Sequence, residues 1–195
     1  MNARDTILAA VRRNLPRPSV PLPDPPRFPT KSVDVIDGFR RALEEMGGRS
    51  FEVADSQQAR AKVHELFPEV KVICSAVSEV PGTRRIEAVR DPHELKDVDV
   101  GVVRSPLGVA EAGAVWLTQV QLTVTALGVL AQHLVVLLDP AAILATLHEA
   151  YERLDVAADA YGVFMAGPSA TGDIEGVIVP GAQGARTLTV LLVAP

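Results

Sequence analysis

The chain is 195 residues long, enough for one α/β domain with a substantial core. Its 48% hydrophobic and 22% charged residues give the balance of a soluble globular protein, and a net charge of −5 excludes a general nucleic-acid-binding footprint. No apolar run is long enough to span a bilayer, and the single cysteine, Cys74, excludes both an internal disulfide and a self-contained iron–sulfur cluster.

The N-terminal MNARDTILAAVRRN interleaves charges with apolar residues and lacks the continuous apolar centre of a secretory signal, so a cytoplasmic location is expected. Asp5 to Asn14 are predicted helical, with Ile7, Leu8 and Val11 on one stripe, Asn2 or Asp5 as cap, and Pro16 as terminator. Pro16 to Thr30 hold seven of the fifteen prolines and are expected as an extended linker. The chain thus divides into a helical arm (1–15), a Pro-rich linker (16–31) and an α/β domain (32–195). The arm either folds back on the domain or packs on a neighbouring subunit, which would make a homodimer.

Within the domain, Ser32 to Met46 read as a helix with Val35, Ile36, Phe39, Leu43 and Met46 on one face, stopped by Gly47-Gly48. A strand at Ser50 to Val53, a helix at Ser56 to Leu66 with Ser56 as cap, and a strand at Val70 to Cys74 follow. Gly82 to Val89 are expected as a short strand, Asp91 to Leu95 as a capped turn, and Val98 to Val103 as a strand. The alternation of helix and strand predicts a mostly parallel sheet with helices on its faces. Thr118 to Leu127 have no resolved period. Val135 to Leu138 form an apolar strand, and Pro140 opens a predicted helix, Ala141 to Leu154, burying Ile143, Leu144, Leu147 and Tyr151. Gly162 to Ala166 and Leu188 to Val193 are the last two strands.

Between those two strands lies GPSATGDIEGVIVPGAQGAR, residues 167 to 186. Small residues allow backbone N–H groups to approach a ligand, and a helical start would add free N–H groups. Gly167, Ser169, Thr171, Asp173, Glu175, Gly184 and Arg186 are therefore candidate ligand-binding residues, with Arg186 a fixed cation for a carboxylate or phosphate or else an ion-pair partner of Asp173 or Glu175. Upstream, Glu111 sits in the apolar run GVAEAGAVWL, where an unpaired buried carboxylate would be costly, so it must reach water, a cation, backbone N–H groups or a ligand. His133, at the mouth of the Val135 strand, is placed where α/β sheets gather ligands; a boundary histidine is its simplest reading, and of the four histidines it is the best candidate for proton transfer. The four histidines show no metal-ligand spacing, and no GxGxxG follows a strand.

GPSATGDIE followed by GAQGAR resembles the C-terminal signature of the lactate-utilisation protein C family (the LUD domain, DUF162), and Ala110-Glu111-Ala112-Gly113-Ala114 resembles that family's AETGT segment. The resemblance spans roughly Val98 to Val193. Ala112 and Ala114 stand where threonines are common, and Gln183 is a further departure. The resemblance implies a three-layer, Rossmann-like α/β sandwich similar to the ribose-5-phosphate isomerase and CoA-transferase superfamily (NagB/RpiA/CoA-transferase-like). Its ligand cleft would lie at strand C-terminal ends. It also implies a role in oxidising lactate to pyruvate, with iron–sulfur clusters carried by partner subunits and no cofactor in this chain. Glu111 and His133 would be the catalytic candidates, and Gly113 would join the ligand-binding set. The alternative is a stand-alone enzyme acting on a phosphorylated or acyl small molecule, with Glu111 as nucleophile or general base and an anion pocket at the GPSATGDIE turn.

Overall fold

Buried, β-branched runs with helices between them set the architecture. In a computed structural model, which describes residues 2–15, Pro23, Pro26 and 34–195, six strands form one wholly parallel sheet. They are β1 (Arg49–Glu52), β2 (Ile73–Ser75), β3 (Arg84–Arg85), β4 (Val100–Ser105), β7 (His133–Leu138) and β12 (Thr187–Leu192), in the spatial order β1-β12-β7-β4-β2-β3. The central strands are apolar on both faces, as expected for a sheet covered on both sides. The predicted linker lies outside the described residues apart from Pro23 and Pro26.

Helix α1 (Ala3–Asn14) is capped by Asn2, whose side chain accepts the Asp5 N–H, and buries none of its residues. Helix α2 (Val35–Glu45) starts at Asp34, whose carboxylate accepts the N–H groups of Ile36 and Asp37, and ends in the turn Met46-Gly47. The cap of α3 (Ser56–Leu66) is Asp55 rather than Ser56: its carboxylate takes the Gln58 N–H at 2.8 Å, leaving Ser56 as the first helical residue. No helix among the described residues is long and apolar enough to cross a membrane.

Alternation along the strands separates two cores. One face (Val100, Val102, Val135, Leu137, Leu191) packs against Ala59 and Val63 of α3 and the following Phe67. The other (Val103, Leu134, Val136, Leu138, Leu188, Val190) packs against Phe39 and Leu43 of α2 and against a second sheet. That sheet has the order β8-β5-β6-β9, from β5 (Gly108–Val109), β6 (Ala114–Thr118), β8 (Ile143–Leu144) and β9 (Gly162–Met165). Val115 and Leu117 face the main core, while Trp116 turns outward onto Phe164, ring centroids 4.6 Å apart.

Two expectations are corrected here. The predicted helix Ala141–Leu154 is a single 3-10 turn at Pro140–Ala142, then β8, then α6 (Leu147–Arg153). Ile143 and Leu144 find better use as a parallel partner of Gly108 and Val109, and Thr146 restarts the helix by accepting the Glu149 N–H. Tyr151 is consequently exposed (57%), its ring edge against Phe164. The expected helical start after Gly167 is instead a hairpin of β10 (Ala170–Thr171) and β11 (Val179–Pro180). The stretch without a clear period, Thr118 to Leu127, holds the short helix α4 (Gln119–Leu122), and a second short helix, α5 (Leu127–Leu130), begins at its end. The capped turn at Asp91 is present, with the Glu94 carboxylate returning to the Asp91 N–H.

Candidate functional site

The chain leaves β9 at Gly167, passes through the β10–β11 hairpin, and returns along GAQGAR into β12. Ser169 knits the two arms: its N–H donates to the Ala185 carbonyl at 2.9 Å, and its own carbonyl accepts the Gly181 N–H at 2.8 Å. Between this turn, α5 and the first residues of β7 and β12 lies a cavity of about 190 Å³. Gly167, Ser169 and Gly184 of the predicted set line it, and Gln183, Pro168 and Met165 join them. Its lining carries no ionisable side chain; the polar groups come from Ser169, Gln183 and the backbone. Such a lining suits a hydroxyl or an apolar group better than an isolated anion.

The other predicted residues are placed elsewhere. Thr171 is buried and its hydroxyl accepts the Asp173 N–H at 3.2 Å, bracing the hairpin. Asp173 and Glu175 are exposed in the hairpin connection, Glu175 with a left-handed φ of 55°. Arg186 lies along Gly181, and its backbone N–H donates to the Gln132 carbonyl. Among the described residues it forms no ion pair with Asp173 or Glu175, and it does not line the cavity.

Glu111 serves the second sheet. Its Oε1 accepts the Leu147 N–H at 3.0 Å and its own N–H donates to the Ala145 carbonyl at 3.1 Å, so the carboxylate caps the first turn of α6. Of the alternatives open to this carboxylate, two are met: it accepts a backbone N–H, and Glu111 is exposed and so reaches water. Gly113, with φ 57°, lets its loop touch the backbone of α2: a Cβ there would lie 2.6 Å from Leu43 Cα. Gly167, with φ 69°, meets the end of the same helix, a Cβ falling 2.8 Å from the Met46 carbonyl carbon. The two glycine-bearing motifs, 54 residues apart in sequence (167 minus 113), therefore converge on the last turn of α2.

His133 is the first residue of β7, which puts it at the amino edge of the parallel sheet and not at the carboxyl edge where open α/β sheets hold ligands. Its Nδ1 hydrogen-bonds with Thr187 Oγ1 at 2.9 Å, and its ring stacks on Phe67 at 4.7 Å. Burial pushes the imidazole pKa below its ordinary value, and Arg49 and Arg186 push it further, against a smaller opposing pull from Asp99. The unfolded chain therefore takes up this proton at higher pH than the folded one. The stabilising neutral state is fully present above about pH 6.5 and is lost as pH falls towards the depressed folded value. The melting temperature is expected to drop between about pH 7 and pH 5.5, and His133→Gln should flatten that segment of the curve; an unchanged slope would show that other groups set it.

Burial also raises the pKa of the Cys74 thiol, which is fully enclosed as the middle residue of β2, so it fits a packing role.

Comparison with known proteins adds two findings. The LUD domain family model matches residues 82–193, which include both glycine-bearing motifs. A crystal structure of a DUF162 family protein from Deinococcus radiodurans, solved at 1.70 Å resolution, is similar over 85% of this chain and 100% of that chain, with a TM-score of 0.66 at 16% identity. No curated protein matches the chain.

Proposed function

We propose that this chain, which belongs to the LUD domain family, is a substrate-handling component of a lactate utilisation system, without a redox centre of its own. The family is associated with lactate utilisation. The observation that carries the proposal to this chain is the convergence of the GVAEAGA and GPSATGDIE segments on the last turn of α2, which makes the matched region one structural unit. A lone, enclosed cysteine cannot ligate an iron–sulfur cluster, so electrons from lactate would pass to iron–sulfur partner subunits. The chain's own task is to hold a small carboxylate.

Glu111 helps to choose between this role and a stand-alone acyl- or phosphoryl-processing enzyme. A nucleophile or general base needs its carboxylate free to meet substrate, whereas Glu111 holds the α6 backbone. The test is a thermal-shift panel of L-lactate, D-lactate, pyruvate, sugar phosphates and CoA esters on the isolated chain. A ligand that binds only the folded state raises its melting temperature. Lactate or pyruvate is expected to give the shift. A shift confined to sugar phosphates or CoA esters would favour the stand-alone enzyme.

A further inference from the structure

Strands β2 and β4 are neighbours at the point where the order of strand addition reverses. From β2 the chain continues to β3 on the outer side, whereas from β4 it continues to β7 on the opposite side. Connections leaving the two carboxyl ends in opposite directions open a crevice between them, the place where open α/β sheets hold ligands. A cavity of about 270 Å³ occupies it, lined by Ala76 and Val77 after β2, Arg104 and Pro106 at the end of β4, and Val120 and Gln121 of α4. Arg104 is the one charged residue of that lining.

Arg104 interrupts an otherwise buried strand, with its side chain 23% exposed. Its Nε donates to Glu79 Oε1 at 2.8 Å, and Nη1 reaches the Val193 carbonyl at 3.4 Å. Glu79 is itself anchored, since its carbonyl accepts from Arg60 Nε at 2.6 Å. The guanidinium is thus held in one orientation while Nη2 keeps both N–H groups without an acceptor among the described residues. Gln121 contributes the other polar group. Its Oε1 accepts the Thr118 N–H at 2.9 Å and the Thr118 hydroxyl at 2.7 Å, which leaves the carboxamide NH₂ as its unused end. Arg104 and Gln121 line this cavity and each keeps N–H donors without an acceptor among the described residues, on otherwise apolar walls, the complement of a carboxylate on a short carbon body. Arg104 also lines a neighbouring cavity of about 240 Å³ together with its partners Glu79 and Val193.

We propose that this crevice is the chain's carboxylate site, with Arg104 as the anchor and Gln121 as the second donor. The assignment rests on the carboxylate-handling role above and moves its ligand from the GPSATGDIE turn to the carboxyl edge of the sheet. A phosphate would use the same donors, so the test separates the two.

The experiment titrates L-lactate, pyruvate and inorganic phosphate into the ¹⁵N-labelled full chain and follows backbone and Arg Nε signals. The expected result is carboxylate-dependent shifts at Ala76, Val77, Arg104 and Gln121. Affinity should fall about tenfold or more in Arg104→Gln, the loss of a charged hydrogen bond. Gln121→Glu should abolish binding while keeping the acceptor that caps α4, so a folded variant with no affinity isolates the ligand contact. Carboxylate shifts confined to Gly167, Ser169 and Gly184, untouched by both variants, would overturn the assignment and leave the functional role standing. Binding of phosphate alone at Arg104 would overturn the carboxylate assignment. No carboxylate binding to the wild-type chain would overturn the assignment and the functional role together.

Discussion

Gly113→Ala is expected to cost the domain about 2–5 kcal/mol, the sum of a left-handed backbone forced on a residue with a Cβ and an overpacked contact. The contact is with main chain, not with a side chain that could swing away: the new methyl would meet Leu43 N, Leu43 Cα and the Ala42 carbonyl carbon. Relief requires α2 to move off the second sheet, and α2 carries Phe39 and Leu43, both fully buried. The check is urea unfolding followed by far-UV circular dichroism. A loss below about 1 kcal/mol would mean that the loop and α2 separate easily, and the convergence of the two motifs would lose its structural meaning.

Trp116→Ala should be comparably severe, about 3–5 kcal/mol, because a large ring is removed from a site that has little room to collapse. Trp116 is 9% exposed and packs on its register partner Phe164, while Gly162, the partner of Thr118 on the same neighbouring strand, lies under the far edge of the ring, where any Cβ would collide with it. Trp116→Phe should recover part of the loss by refilling the space between Phe164 and Leu144. Unfolding curves of the two variants decide the matter. Equal stability of Trp116→Ala and wild type would show that β6 and β9 pair without support from this outer core.

Much of the parallel sheet was legible because its strands are enclosed on both faces and appear as short apolar runs separated by helical patterns. The same property hides their surroundings. Ile143 and Leu144 continue an apolar spacing that suits a helix, and only their pairing with the two-residue strand β5 makes them extended. A two-residue strand has no period to detect. Thr171-Gly-Asp-Ile-Glu resembles a helix start because hydroxyls and carboxylates cap helices, yet here Thr171 braces a hairpin.

The edge occupied by His133 could have been deduced. The first residue of a strand in a parallel sheet lies at the amino edge, so His133 and Arg186, which flank the starts of β7 and β12, sit away from the carboxyl-edge crevice. Arg104 gave a comparable signal as the lone charge in the run Val100–Ser105. Which of these residues share a cavity depends on strand order, and strand order is not written in any local pattern.

The most direct test of the account is lactate-dependent reduction of an artificial electron acceptor. It compares the purified chain, the proposed iron–sulfur partner subunits, and the two combined. Turnover is expected only in the combination, with Glu111→Gln active within about twofold of wild type, because the Glu111 carboxylate caps α6 rather than touching substrate. Turnover by the isolated chain, abolished in a folded Glu111→Gln variant, would contradict it.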